Sequence, residues 1–250
     1  MAADLCRRGM SIGGDGVLFI EPSQSADFKM RIFNADGSEA ETCGNASRCI
    51  ALLAHEMKIV PSDMTFETLA GIYQASIRNH QASASLSDPH SFQPDIDLAD
   101  ENIPFPRMHY IDSGVPHVVI FVEDVEKQEV EKFGKLIRHH RYFQPRGTNV
   151  NFVENPASSP FRIRTYERGV ERETLACGTG CIAAATAAGI LHGIDSPAHL
   201  LTRSGLVNTV HFRISGKEAT NIRLEGEAHI VFRGNIDREF KTLPERECRK

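Results

Sequence analysis

The sequence contains no tryptophan and no long apolar run. No stretch approaches the roughly 18 consecutive apolar residues that a membrane helix requires. The first residues, MAADLCRRGMSIGG, lack the apolar centre of a secretory signal. The chain therefore reads as cytoplasmic, without a membrane partner. A basic stripe with interleaved aromatics is also missing. The 28 Lys and Arg and 33 Asp and Glu are mixed along the chain and leave a net charge of −5, which argues against nucleic-acid binding. No C-x-x-C occurs, and the C-x5-C and C-x3-C pairs match no common zinc spacing. No metal is expected.

What is present is a globular composition. The 250 residues are 41% hydrophobic and 24% charged, enough for one large domain or two ordinary ones. Six cysteines in a cytoplasmic chain read as thiols rather than a disulfide framework. Short apolar or alternating runs bounded by turn residues predict strands at Val17–Ile20, Phe28–Phe33, Thr65–Leu69, Ile72–Ile77, His117–Glu123, Phe161–Tyr166, Thr209–Ile214 and Ile230–Phe232. Three helices are expected, at about Asn45–Met57, Val125–His139 and Gly178–His192. The third is apolar on every side and so should be buried, with Gly193 as its stop. The stretch Ser85–Pro106, dense in Pro, Asp and Ser, reads as a linker.

One pattern occurs twice. Cys43-Gly44-Asn45-Ala46 opens the first helix and Cys177-Gly178-Thr179-Gly180 the third, each after a strand and an acidic turn. The repeat suggests two related half-domains facing one another. The first N–H groups of a helix lack internal partners, and the helix dipole is positive there, so a cysteine at that place favours its thiolate. Two such cysteines suit inversion at a carbon: one removes a proton from one face, the other supplies a proton to the opposite face. The two helix starts would stabilise the carboxylate beside the carbanion. Cys49 and Cys181, one turn further in, read as core residues, as do Cys6 and Cys248 near the ends unless these are merely exposed.

These residues resemble diaminopimelate epimerases. FNADGSEAETCGNASRC and ERGVERETLACGTG are similar to the two signature segments of that family, and GTNVNFVE at 147–154 and IGGDG at 12–16 to further ones. The resemblance implies an α/β (α+β) fold of two mirrored half-domains, each a mostly antiparallel sheet wrapped around a central helix, with the active site in the cleft between them. The first half would span 1–95 and the second 96–250, the last strand near 228–232 returning to the first. It implies cofactor-independent interconversion of LL- and meso-diaminopimelate, an amino-acid substrate from lysine and peptidoglycan-precursor synthesis. Cys43 and Cys177 would be the acid–base thiols. Gly44, Asn45, Gly178 and Thr179 would surround the reacting carboxylate, and Asn34, Asn149, Glu167 and Arg168 would hold the distal amino-acid group. Arg168 suits a two-pronged carboxylate contact; on its own, Glu167-Arg168 reads as a surface ion pair. A homodimer is left open.

Three departures stand out. The family's opening strand, with a His-Gly-x-Gly-Asn-Asp-Phe-like segment and a substrate-binding Asn, has no counterpart here, so one wall of the pocket is expected to be missing. The family's Gly-Asn-Pro-His reads Gly114-Val115-Pro116-His117, so no role passes to Val115, and His117, which could polarise a carbonyl, reads rather as a packed or capped histidine. Ala46 replaces the usual Gly, which a helix interior tolerates. Two other readings remain: a related two-thiol racemase with another amino-acid substrate, and a non-catalytic paralogue. Two facing thiols are also expected to link on air oxidation.

Overall fold

A computed structural model describes residues 1–41, 43–79, 81–154 and 156–236. A short helix, α1 (Ala2–Leu5), precedes β1 (Gly16–Glu21), β2 (Phe28–Asn34) and β3 (Glu39–Ala40). Helix α2 (Gly44–Glu56) leads into β4 (Asp63–Thr68), β5 (Gly71–Arg78) and β6 (Gln81–Ser85). Then come β7 (His90–Ile96), β8 (Met108–Asp112), β9 (Pro116–Val122), α3 (Val130–His139), β10 (Asn149–Glu154), β11 (Phe161–Glu167) and β12 (Arg172–Thr174). Helix α4 (Gly178–His192) precedes β13 (Ala198–Leu201), β14 (Val207–Ser215) and β15 (Glu218–Glu227).

The strands hydrogen-bond in the order β1-β2-β4-β5-β6-β15-β14-β13-β11-β10-β9-β8-β7, with β3 on β2 and β12 on β11. Most pairs are antiparallel; β2–β4, β9–β10 and β11–β13 are parallel. This mixed α+β sheet bends around two helices. Helix α2 packs on β1, β5, β6 and β15, and α4 on β8 to β11 and β13 to β15. Strand β15 is the joint: Leu224 pairs with Val210 of β14 on one side and with Ala84 of β6 on the other.

Each helix carries its own core. Around α2 lie Phe28, Met30, Ile50, Ala51, Ala54 and Phe66; around α4 lie Val119, Ile163, Ile182, Leu200, Val210 and Leu224. The alanines of α4 are fully buried, because only small side chains let a helix sit inside a sheet that curls round it. Gly193 ends α4 in the left-handed conformation, with φ 67°. A third core lies beneath α3, around Met108, Ile120, Ile137 and Phe152.

Four readings change. Helix α3 starts at Val130, not Val125: the Val125 N–H donates to Glu154, and Arg164 Nη1 donates to the carbonyls of Val125 and Gln128, so that backbone is held in a loop. The stretch read as linker contains β7, an edge strand on β8 whose two register shifts erase its sequence period. Residues 228–232 form no strand, although Ala228 and Ile230 still pack on the first core. Cys49 is exposed rather than buried, since Ile50 and Ala51 fill the core-facing positions. Cys6 and Cys181 are buried, and Cys248 lies outside the described residues. No described helix is long and apolar enough to cross a membrane.

Candidate active site

Cys43 and Cys177 are the N-cap residues of α2 and α4, each in extended conformation. Their carbonyls accept the first helical bonds, from Ser47 N at 2.9 Å and Cys181 N at 3.0 Å. The Cys43 side chain makes no capping bond. Most N-caps are Ser, Thr, Asp or Asn, which spend their oxygen on the helix; here a thiol stands free at the helix start. Both cysteines are unpaired, Cys43 exposed and Cys177 buried.

The two helix starts meet. A Cβ built on Gly178 would lie 3.7 Å from the Gly44 Cα and 2.8 Å from Leu224 Cδ2, so no larger residue fits there undisturbed. The same position is 3.8 Å from Asn45 Oδ1. Two helix starts, each with N–H groups that lack helical partners and a positive dipole end, thus converge at one point between the halves, an arrangement that can hold a carboxylate.

The second thiol sits in a dense polar setting. Burial and the Glu167 charge push Cys177 well above its ordinary pKa, outweighing the Thr179 hydroxyl and the Gly180 N–H. Cys177 is therefore held as a thiol. The carboxylate of Glu167, a residue expected at the distal end of the substrate, lies against Cys177 and accepts from the Thr174 hydroxyl. Burial raises the Glu167 pKa, and contact with Thr174 and Cys177 opposes that rise.

His117 is fully buried, and burial, aided by the charge of Arg168, lowers its pKa to about 3. It is a neutral ring whose tautomer the surroundings decide. Asn151 Nδ2 donates to Val118 O at 2.8 Å, and Asn151 Oδ1 accepts from Thr165 Oγ1 at 3.0 Å, which fixes the amide. The same Nδ2 lies 3.0 Å from His117 Nδ1, so Nδ1 is an acceptor and Nε2 carries the hydrogen. Nε2–H then donates to Thr179 Oγ1 at 3.0 Å, leaving the threonine hydroxyl hydrogen for Cys177 Sγ at 3.5 Å. Ser113 Oγ donates to the Thr179 carbonyl at 2.9 Å and steadies that turn. The sequence marks His117 as packed or capped, and it assigns no role to Asn151 or Ser113.

Of the remaining expected residues, Arg168 is half-buried with no carboxylate partner among the described residues; its Nη1 donates to the Arg146 carbonyl at 2.9 Å. Burial, Arg146 and Arg138 lower its pKa while Asp112 opposes them, the electrostatics of a site short of an anion. Asn149 is buried in the scaffold: it donates to Pro116 O and its Oδ1 accepts from the Arg168 N–H at 2.9 Å. Asn34 is exposed and donates to Ser38 Oγ at 3.0 Å, closing the turn after β2. The charge of Asp15, in the turn before β1, adds to the rise at Glu167. No group of three or more His, Cys, Asp or Glu side chains among the described residues could hold a metal ion.

A family model described as diaminopimelate epimerase matches residues 1–91 and 109–231. A diaminopimelate epimerase of Hydrogenobaculum sp. (strain Y04AAS1) is 43% identical over 243 residues, covering 94% of this chain and 85% of the relative. That of Aquifex aeolicus (strain VF5) is 42% identical over 239 residues, covering 94% and 84%. Among solved structures, a hydroxyproline epimerase from Agrobacterium vitis with bound trans-4-hydroxy-L-proline matches with a TM-score of 0.66 at 18% identity, over 85% of this chain and 71% of that one. A PhzF-family phenazine biosynthesis protein of Bacillus anthracis matches with a TM-score of 0.66 at 15% identity, over 86% and 82%. At these identities the solved structures speak for the fold alone.

Proposed function

The chain belongs to the diaminopimelate epimerase family, and we propose that it performs that reaction with Cys43 and Cys177 as the acid–base pair. It is an isomerase of lysine and peptidoglycan-precursor synthesis that interconverts LL- and meso-2,6-diaminopimelate. The observation that carries the thiol reading is the meeting of the two cysteine-capped helix starts at Gly44 and Gly178.

The reacting α-carboxylate lies between the two helix starts, taking N–H donors from Gly44 and Asn45 on one side and Gly178 and Thr179 on the other. Cys177, held as a thiol, supplies a proton to one face of the α-carbon while Cys43 removes the proton from the other. In the reverse direction the roles exchange, and Glu167 and the Thr179 hydroxyl accompany the change at Cys177. Arg168, its backbone gripped by Asn149, takes the distal carboxylate, and Asn34 borders the cleft. No cofactor is needed. We place the enzyme in the cytoplasm with a small-molecule substrate, without nucleic-acid or membrane partners, and with a homodimer as its candidate assembly.

Chiral chromatography of products from a panel of amino acids tests the substrate. LL-diaminopimelate should be converted and proline should not. In Arg168→Met, the KM for diaminopimelate should rise by about 10- to 100-fold, the loss of one charge-assisted pair. Turnover of proline, or an unchanged KM in Arg168→Met, contradicts the assignment.

A further inference from the structure

Arg48, in the second turn of α2, is only 6% exposed. Its Nη2 donates to Asn45 Oδ1 at 2.6 Å, and its Nη1 to Asn208 Oδ1 of β14 at 2.8 Å. Asn208 Nδ2 in turn donates to Cys181 Sγ of α4 at 3.5 Å. Arg48 Nε has no acceptor. Gly226 of β15 leaves the room for this head group, since a Cβ there would collide with Nη1. One buried guanidinium thus links a helix of the first half to a strand of the second.

No carboxylate among the described residues pairs with Arg48. The ionisable groups that face it are the thiols of Cys181, Cys49 and Cys43. An uncompensated buried cation is costly, and an apolar side chain of similar size would serve packing better. The cost is compounded here, because the positive end of the α2 dipole lies close by. Such a charge suits a place where negative charge arrives. Its second effect is geometric: it occupies Asn45 Oδ1, and leaves the amide N–H2 as the group Asn45 can offer to the cleft.

We propose that Arg48 is a positioning residue of the first thiol site: it turns the N–H2 of Asn45 toward the substrate carboxylate, keeps positive charge beside Cys43, and ties both to the second half through Asn208. The proposal rests on reading Cys43 as a reacting thiol.

The test follows alkylation of Cys43 by iodoacetamide against pH, resolved from the other thiols by peptide mass spectrometry, together with kcat and KM. In Arg48→Met the alkylation curve should move up by about one pH unit, and kcat should fall by about 10²-fold. Arg48→Lys should restore the curve, but its KM should stay about tenfold high, because an ammonium cannot reproduce the fork between the two amides. A role in packing alone would lower the melting temperature and leave the curve, kcat and KM of folded protein unchanged, which overturns the proposal. If Arg48→Met does not fold, Arg48→Lys and Asn208→Leu decide: a raised KM in both supports it, and an unchanged KM overturns it. Epimerisation retained in Cys43→Ala would overturn the thiol-pair reading and this proposal together. An unmoved curve in Arg48→Met, with epimerisation lost in Cys43→Ala, overturns this proposal alone.

Discussion

Gly44 and Gly178, each next to a cysteine that caps its helix, lie against one another beneath Leu224. A Cβ on Gly44 would stand 3.9 Å from the Gly178 Cα and 2.9 Å from Leu224 Cδ2. Gly178→Ala should therefore push the two helix starts apart. Overpacking of this kind costs about 1–3 kcal/mol, offset by about 1 kcal/mol of helix propensity. Stability should fall modestly, whereas a misplacement of about 1 Å at the carboxylate site should reduce kcat by about 10²-fold. Thermal melting and initial rates read the two effects separately. Activity close to that of the unsubstituted chain would contradict the convergence argument.

The Thr179 hydroxyl stands between His117 Nε2 and Cys177 Sγ. Thr179→Val keeps the shape and removes that link, so kcat should fall by about tenfold, the loss of one hydrogen bond that supports the thiolate. Thr179→Ser should recover most of the rate. Equal rates for the Val and Ser variants would show that the hydroxyl takes no part.

Burial lowers the His117 pKa from 6.5 to about 3, which gives stability a defined pH dependence. Between those values the unfolded chain binds a proton that the folded chain does not. The contribution is complete above the unfolded pKa and is lost progressively as pH falls toward the folded one. Its slope reaches about 1.4 kcal/mol per pH unit in the middle of that window. Urea unfolding of His117→Gln across the window should show a slope shallower by up to that amount. An unaltered slope would mean that His117 is not buried as a neutral ring.

Much of this was legible in the sequence where one physical cause dominates. Helix α4 keeps its expected bounds because a run that is apolar on every side has only a core to go to, and Gly193 stops it. The cysteine caps were legible because Cys-Gly before a helix occurs twice. Strand β7 was not, because a polar edge strand with two register shifts carries no period. Arg48 was hidden for a different reason: its burial depends on Asn208 and Gly226, far away in the chain. The position of Glu167 beside Cys177 also arises only when β11 and α4 are brought together, and a Glu-Arg pair read alone suggests a surface contact.

Proton NMR of LL-diaminopimelate with reduced protein in D2O tests the central claim most directly. The α-proton signal should disappear and deuterium should enter the meso product, and both changes should be lost in Cys43→Ala and Cys177→Ala, a fall of at least about 10²-fold for each acid–base group removed. Undiminished exchange and epimerisation in either folded variant, or no exchange with the folded, reduced protein, would contradict it.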